Sequence, residues 1–145
     1  MQLTLIRGAS GSGKSTIANH LAEPFHPVFE ADDFFTFNGL YKYDVELLHK
    51  AHLYTQLRVE RLMHLERPEI FVANTFIKQK DMAKYFGLAF KYHYEIKIWR
   101  TPGPWIAEDL FKRNKHDVPL HVVERHITNY QAHSAEIEWT DLTIF

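Results

Sequence analysis

The sequence predicts a three-layer α/β domain, with a mainly parallel central sheet covered by helices on both faces and a helical lid. Three observations carry that expectation. Short apolar runs alternate with stretches of helical spacing along the chain, and such alternation implies right-handed crossovers and parallel strands. A glycine-rich loop stands between the first apolar run and the first helix. Polar or charged residues close the runs at Arg7/Gly8, Asp32/Asp33, Asn74/Thr75 and Arg100/Thr101, where open α/β sheets bind their ligands. At 145 residues the chain reads as one domain over 1–145, long enough to bury a core and too short for two.

The elements follow in order. "QLTLIR" (2–7) is a buried strand running into Gly8. From Ser15, "STIANHLAE" has helical spacing and stops before Pro24. "HPVFEADD" (26–33) reads as a second strand, and "FFTFNGLYKY" (34–43) as an aromatic loop with Asn38-Gly39 as its turn. Asp44 can cap a long helix whose apolar residues are Leu47, Ala51, Tyr54, Leu57, Leu62 and Leu65, closed by Pro68. "EIFVAN" (69–74) is a third strand, Thr75 to Ile77 a turn, and "KQKDMAKYFGLAF" (78–90) a helix. "HYEIKIW" (93–99) alternates as a fourth strand. Pro102 and Pro104 open a helix over 105–115, Pro119 opens another reaching Tyr130, and "DLTIF" (141–145) is the expected last strand.

Composition narrows the function classes. No apolar run approaches the roughly 20 residues that span a bilayer, and Met1 leads into "LTLI" without the parts of a signal peptide. The absence of cysteine removes disulfides, thiolate nucleophiles and zinc–thiolate sites. A cytoplasmic enzyme without a membrane partner is the expectation. The net charge of −1 argues against a general nucleic-acid coat protein. The charge is unevenly spread, however: residues 78–115 hold nine Lys and Arg against four Asp and Glu. Such a segment suits either an anionic substrate or a solvated face.

The strongest chemical pattern is Gly8-Ala9-Ser10-Gly11-Ser12-Gly13-Lys14-Ser15-Thr16. It satisfies the Walker A spacing between a strand and a helix, which predicts a P-loop NTPase domain. Glycines let the backbone curl so that its N–H groups face phosphate oxygens, and the N-terminus of the helix adds the positive end of its dipole. Lys14 would reach the β- and γ-phosphates, and the Ser15 hydroxyl would bind Mg²⁺. The expected cofactors are therefore ATP and Mg²⁺.

A kinase also needs a group that takes the proton of an acceptor hydroxyl. Asp32 and Asp33 are the candidates, and neighbours on an extended chain point opposite ways, so one faces the phosphate and the other caps. The third strand ends in Ala73, Asn74 and Thr75 where many P-loop enzymes place a metal-holding Asp. Arg113 and Lys115 are basic residues that can close over the phosphates. The ten histidines form no convincing metal set and read mostly as filler.

Together the spaced set "RGASGSGKST", "ADDFF", "NGLYKYD", Ala51-His52, Asn74-Thr75, "RNKHDVP", Arg125 and Tyr130 resembles the small P-loop kinases of the polynucleotide-kinase-like family. These include bacteriophage polynucleotide 5′-kinase and the kinase-like module of the Bcl-3-binding protein. The resemblance covers about residues 3–130. It implies Asp32 as general base, Asp33 as the accompanying acid and Arg113 as the lid arginine. Asn74 falls where the phage enzyme has a catalytic-site Asp. Substrate contacts would come from Asp33, Phe34, Phe35, Asn74 and Thr75. Three positions depart from the family: Phe35 replaces an Arg that contacts substrate phosphate, Phe76 a second Asn, and Asp117 the Gly of the lid motif. The aromatics Phe34, Phe35, Phe37 and Tyr41 can either stack on a base or pack as core. The expected activity is ATP-dependent phosphorylation of a nucleic-acid hydroxyl. The alternatives are a kinase acting on 5-hydroxymethyluracil in DNA, a small-metabolite kinase, and a nucleotide-binding switch with slow hydrolysis.

Overall fold

In a computed structural model, which describes residues 1–37 and 39–145, five strands form one parallel sheet. They are β1 (Gln2–Arg7), β2 (Val28–Phe29), β5 (Glu69–Ala73), β6 (Glu95–Arg100) and β7 (Glu136–Glu138), in the order β2-β5-β1-β6-β7. A two-stranded ribbon, β3 (Thr36–Phe37) with β4 (Leu40–Tyr41), occupies the stretch expected as a loop. Asn38 and the Phe37 side chain lie outside the described residues. The helices are α1 (Lys14–Ala22), α2 (Leu48–His64), α3 (Ala83–Tyr92), α4 (Ala107–Arg113) and α5 (Leu120–Asn129). Among the described residues no helix is long and apolar enough to cross a membrane.

The three layers follow from side-chain alternation along buried strands. Leu3 and Leu5 of β1 with Ile70 and Val72 of β5 pack against Val59 and Met63 of α2 and Leu88 and Ala89 of α3. Ile6, Phe71 and Ala73 point the other way, onto Ile17, Ala18 and Ala22 of α1 and onto Trp139. Both faces of the central strands are thus covered, which is why these strands read as continuous apolar runs.

Four expectations change. The second strand is only Val28–Phe29, and residues Ala31–Phe35 turn in a 3₁₀ helix. The Asp33 carboxylate accepts from the Glu30 N–H at 3.0 Å, so a local side-chain bond ends the strand early. Asp44 caps a short 3₁₀ turn, Val45–Leu47, before α2. The buried stripe of α2 is Ala51, Thr55, Val59 and Met63, while Tyr54, Leu57 and Leu65 are exposed. Its spacing of four is strict, and the Thr55 hydroxyl satisfies itself on the Ala51 carbonyl at 3.0 Å. The final strand is Glu136–Glu138, not 141–145; Leu142–Ile144 is a 3₁₀ turn because Asp141 caps it through the Thr143 N–H at 3.0 Å.

β7 is held by charge as much as by its ladder. Arg7 at the end of β1 is fully buried, donates to the Phe76 and Ile77 carbonyls, and reaches Glu136 at 2.9 Å. The Tyr130 ring lies 4.3 Å beneath its guanidinium, and the Tyr130 hydroxyl donates to the same carboxylate. Arg100 approaches Glu136 at 3.8 Å and Glu138 at 3.2 Å.

Candidate active site

The carboxyl ends of β1, β2 and β5 open into a cavity of about 520 Å³. Its floor is the loop between β1 and α1. Gly13, just before α1, has φ 105°, and Gly11 has φ 79°, a region that only glycine enters without cost. Space demands glycine as well. A Cβ on Gly11 would stand 2.2 Å from the Leu110 carbonyl oxygen, and one on Gly8 2.2 Å from the Thr101 hydroxyl. Ser10, Gly11, Gly13, Lys14, Ser15 and Thr16 line the cavity. Gly8, Ala9 and Ser12 do not; they are the loop's scaffold. Ala9 and Ser12 are buried, the Ser12 hydroxyl donates to the Ala9 carbonyl at 2.6 Å, and Thr101 donates to Ser12 at 2.8 Å.

Lys14 bends back to the Ala9 carbonyl at 3.0 Å. Burial pushes its ammonium down to about 8, against the opposing pull of Glu30 and Asp32. The Ser15 hydroxyl is paired with the Glu30 carboxylate, whose own pKa burial pushes up while the Ser15 bond and Lys14 hold it down.

The acid pair separates. Asp32 lines the cavity and accepts from the Tyr41 hydroxyl at 2.9 Å. His116 Nε2, from the turn between α4 and α5, stands 3.5 Å from its other oxygen. The Tyr41 and His116 rings lie 4.1 Å apart. Asp33 faces away from the cavity, capping the 31–35 turn with Arg58 at 3.9 Å. Asp33, expected to contact substrate, caps this turn and does not line the cavity. The rings of Phe34 and Phe35, also expected at the substrate, pack edge to face with each other and with Tyr54 and Tyr43, and neither lines the cavity. Phe35 is buried against Ala31 and Ala51. Tyr41 and Tyr43 present the aromatic surface instead.

Asn74 and Thr75 do line the cavity. Asn74 Oδ1 accepts from the Ala31 N–H at 2.8 Å, leaving its buried Nδ2 without a partner among the described residues. Arg113, at the C-terminal end of α4, and Lys115 reach the cavity from the opposite wall. Asp117, standing where the family motif has Gly, has φ 52°, a conformation Asp tolerates better than most residues.

Sequence reasoning missed Glu30, Tyr43, His52, His126 and Phe145, all of which line the site. Burial, with Lys14 and Arg125 adding to it, pushes the His126 imidazole down to about 4. It is neutral near pH 7, and its Nδ1 accepts from the Ser10 N–H at 3.3 Å. Burial also lowers the His52 pKa, against Asp81 and Asp32. The motif "RNKHDVP" could have flagged His116; nothing local in the sequence flags Phe145, whose ring comes within 2.3 Å of where a Gly13 Cβ would be.

A glycine loop opening a helix at the carboxyl edge of a parallel sheet, with a lysine and a carboxylate in one cavity, defines a P-loop kinase-like nucleotide-binding domain. The chain belongs to the AAA_33 family, described as an AAA domain, whose model matches residues 3–137. NEDD4-binding protein 2 of Homo sapiens is 34% identical over 134 residues, covering 89% of this chain; the match spans 8% of that relative's length. Among solved structures, a gluconokinase from Sinorhizobium meliloti 1021 matches with TM-score 0.64 at 16% identity, over 94% of this chain and 81% of its own. A chain of the Pnkp1/Rnl/Hen1 RNA repair complex matches with TM-score 0.65 at 20% identity, over 88% of this chain and 43% of its own. At these identities the two structures show the fold alone. The family match and the human relative support the polynucleotide-kinase-like resemblance at family level, without selecting one member.

Proposed function

We propose that this chain is an ATP-dependent kinase that transfers the γ-phosphate to a hydroxyl of a nucleic acid. The observation that carries the reading is Asp32, held by Tyr41 and His116 in the same cavity as Lys14 and the glycine loop. A carboxylate held in that cavity is placed to take the proton of an acceptor hydroxyl.

The chemistry follows from the positions. Loop N–H groups and Lys14 hold the β- and γ-phosphates. The donor set at Ser15 is oxygen-based and fits a hard cation; Mg²⁺ would be held by the Ser15 hydroxyl and would neutralise negative charge on the nucleotide's phosphates. Asp32 takes the proton of the acceptor hydroxyl as its oxygen attacks phosphorus in line. The bond from the γ-phosphorus to the bridging oxygen breaks, and ADP leaves with that oxygen. Arg113 balances charge that builds on the γ-phosphoryl oxygens. Tyr41 and His116 keep the Asp32 carboxylate aimed at the cavity.

Support for a nucleic-acid acceptor comes from a second groove of about 350 Å³, which shares Val122 and His126 with the cavity. Lys78, Lys80 and Arg125 face it, against the single acid Asp81. A chain of phosphates entering the cavity meets cations there, and these replace the phosphate-reading Arg that Phe35 does not supply.

Transfer of label from γ-labelled ATP tests the reading. The acceptors are 5′-hydroxyl DNA and RNA oligonucleotides, duplex DNA carrying 5-hydroxymethyluracil, free nucleosides, gluconate, and none. Label on an oligonucleotide, with kcat/KM falling at least tenfold in Lys80→Glu/Arg125→Glu, is expected. The double variant also flattens the salt dependence, by about 0.7 in log–log slope for each single-strand phosphate that is no longer neutralised. Label only on the modified base moves the acceptor from the 5′ end to a base hydroxyl of DNA, while label only on gluconate or a nucleoside, or ADP formed at the no-acceptor rate, overturns the reading in favour of the matching alternative.

Nucleotide binding should also take up a proton. A phosphate beside Lys14 stabilises the ammonium. The free protein holds Lys14 at about 8 against an ordinary 10.5, so binding at pH 9 takes up close to one proton through this group. At pH 7 Lys14 is already charged and contributes none. Calorimetry of AMP-PNP binding in buffers of different ionisation heat measures this. Equal uptake at both pH values, or full uptake by Lys14→Met at pH 9, contradicts it.

A further inference from the structure

The end of β5 lacks an acid, and the sheet register shows where one stands instead. β2 pairs with β5 in parallel, Val28 opposite Phe71 and Phe29 opposite Val72. The next residues at the carboxyl edge are Glu30 on β2 and Ala73 on β5. Glu30 therefore sits one strand away from the position that carries a metal-holding carboxylate in many P-loop enzymes. Its side chain reaches across to the Ser15 hydroxyl and lines the same cavity.

The other carboxylates near the loop are committed elsewhere. Asp32 is held by Tyr41 and His116. Asp33 is turned to the Glu30 N–H and Arg58. Asn74 spends its Oδ1 on the Ala31 N–H, and its buried Nδ2 is a donor with no lone pair for a cation. Glu30 is left as the anionic oxygen donor beside Ser15.

We infer that Glu30 supplies the carboxylate that holds Mg²⁺, directly or through the ion's hydration, so that the acid missing from β5 is provided by the neighbouring strand. The inference rests on the nucleotide-binding reading above and needs no particular acceptor. In the nucleotide-free protein the Ser15–Glu30 bond keeps both groups in place, which spares the reorganisation a flexible carboxylate would need. Glu30 also explains why Ala73 is tolerated at a position where a P-loop enzyme would otherwise lose its ion. Two carboxylates side by side at Glu30 and residue 73 would repel, and one is enough.

The test measures metal affinity rather than turnover. Mn²⁺ binding to the AMP-PNP complex is titrated by electron paramagnetic resonance, and AMP-PNP binding in excess EDTA is measured in parallel. Glu30→Gln is expected to weaken Mn²⁺ binding by 10- to 100-fold, the range for outer-shell or ligand-supporting groups. Metal-free AMP-PNP binding is kept or tightened, because a negative charge beside the phosphates is gone. An affinity within twofold of the parent in Glu30→Gln overturns the inference. Should Glu30→Gln not fold, Glu30→Ser carries the same test: it removes the carboxylate, and an Mn²⁺ affinity within twofold of the parent overturns the inference equally. Absence of AMP-PNP binding by the parent protein both with Mn²⁺ and in EDTA would instead reject the nucleotide-binding reading itself.

Discussion

Asp32→Asn should abolish acceptor-dependent transfer, lowering kcat by about 10²- to 10⁴-fold, the range for removing a positioned general base. The amide fills the same volume and still accepts from the Tyr41 hydroxyl, so the 31–35 turn and the cavity keep their shape. It cannot take a proton from the acceptor. AMP-PNP binding near pH 7 should change little, since the phosphate contacts come from the loop and Lys14. Asp33→Asn is the contrast, because that carboxylate caps a turn through the Glu30 N–H. It should lose no more than tenfold in kcat and about 1 kcal/mol in stability. Single-turnover transfer to the best acceptor, with binding measured separately, distinguishes them. Equal losses in both variants, or transfer undiminished in Asp32→Asn, would remove Asp32 from its place as base.

Glu136→Gln should destabilise the fold by about 3–5 kcal/mol, because it strands a buried guanidinium. Arg7 is fully buried, and Glu136 is its carboxylate partner at 2.9 Å. The same carboxylate accepts from the Tyr130 hydroxyl at 3.0 Å and from the His133 N–H at 2.6 Å. A glutamine presents an NH₂ to at least one of these donors. The loss reaches the site through the chain: Arg7 precedes Gly8 and ties the Phe76 and Ile77 carbonyls to the end of β1. Urea unfolding gives the value from the midpoint shift at constant slope. A change below about 1 kcal/mol would mean that Arg7 finds a new partner or water, and that β7 is held by its ladder alone.

The elements that the sequence predicted well are those whose information is local. β1, α1, β5, α3 and β6 stand within a few residues of expectation, since apolar runs and helical spacing are properties of neighbouring residues. The Walker spacing marked the loop between β1 and α1 because Gly11 and Gly13 are needed by backbone geometry, with φ of 79° and 105°. β7 escaped notice for the opposite reason. "EIE" has poor strand character and is held as a strand by its ladder to β6 and by Arg7 and Arg100, which meet its glutamates from elements far away in sequence. The tail 141–145 looked more like a strand, but Asp141 spends its carboxylate on a turn. On α2, apolar residues outnumber the places in its buried stripe, so counting them could not choose between Thr55 and Leu57.

The candidate site divides in the same way. By itself the sequence marked a glycine loop of Walker spacing, a lysine and a serine in it, a pair of adjacent aspartates, and the basic segment bearing Arg113. These are short-range patterns whose chemistry depends on a few bonded neighbours. Only the tertiary structure decided that Asp32 enters the cavity while Asp33 caps the turn. It also put Phe34 and Phe35 into packing while Tyr41 and Tyr43 face the site, and set Glu30 level with Ala73 beside Ser15. Each of those outcomes depends on where a side chain points after a 3₁₀ turn and a two-residue strand, and on which strand lies next to which. Direction and adjacency are set by packing across the whole sheet, so no window of the sequence contains them.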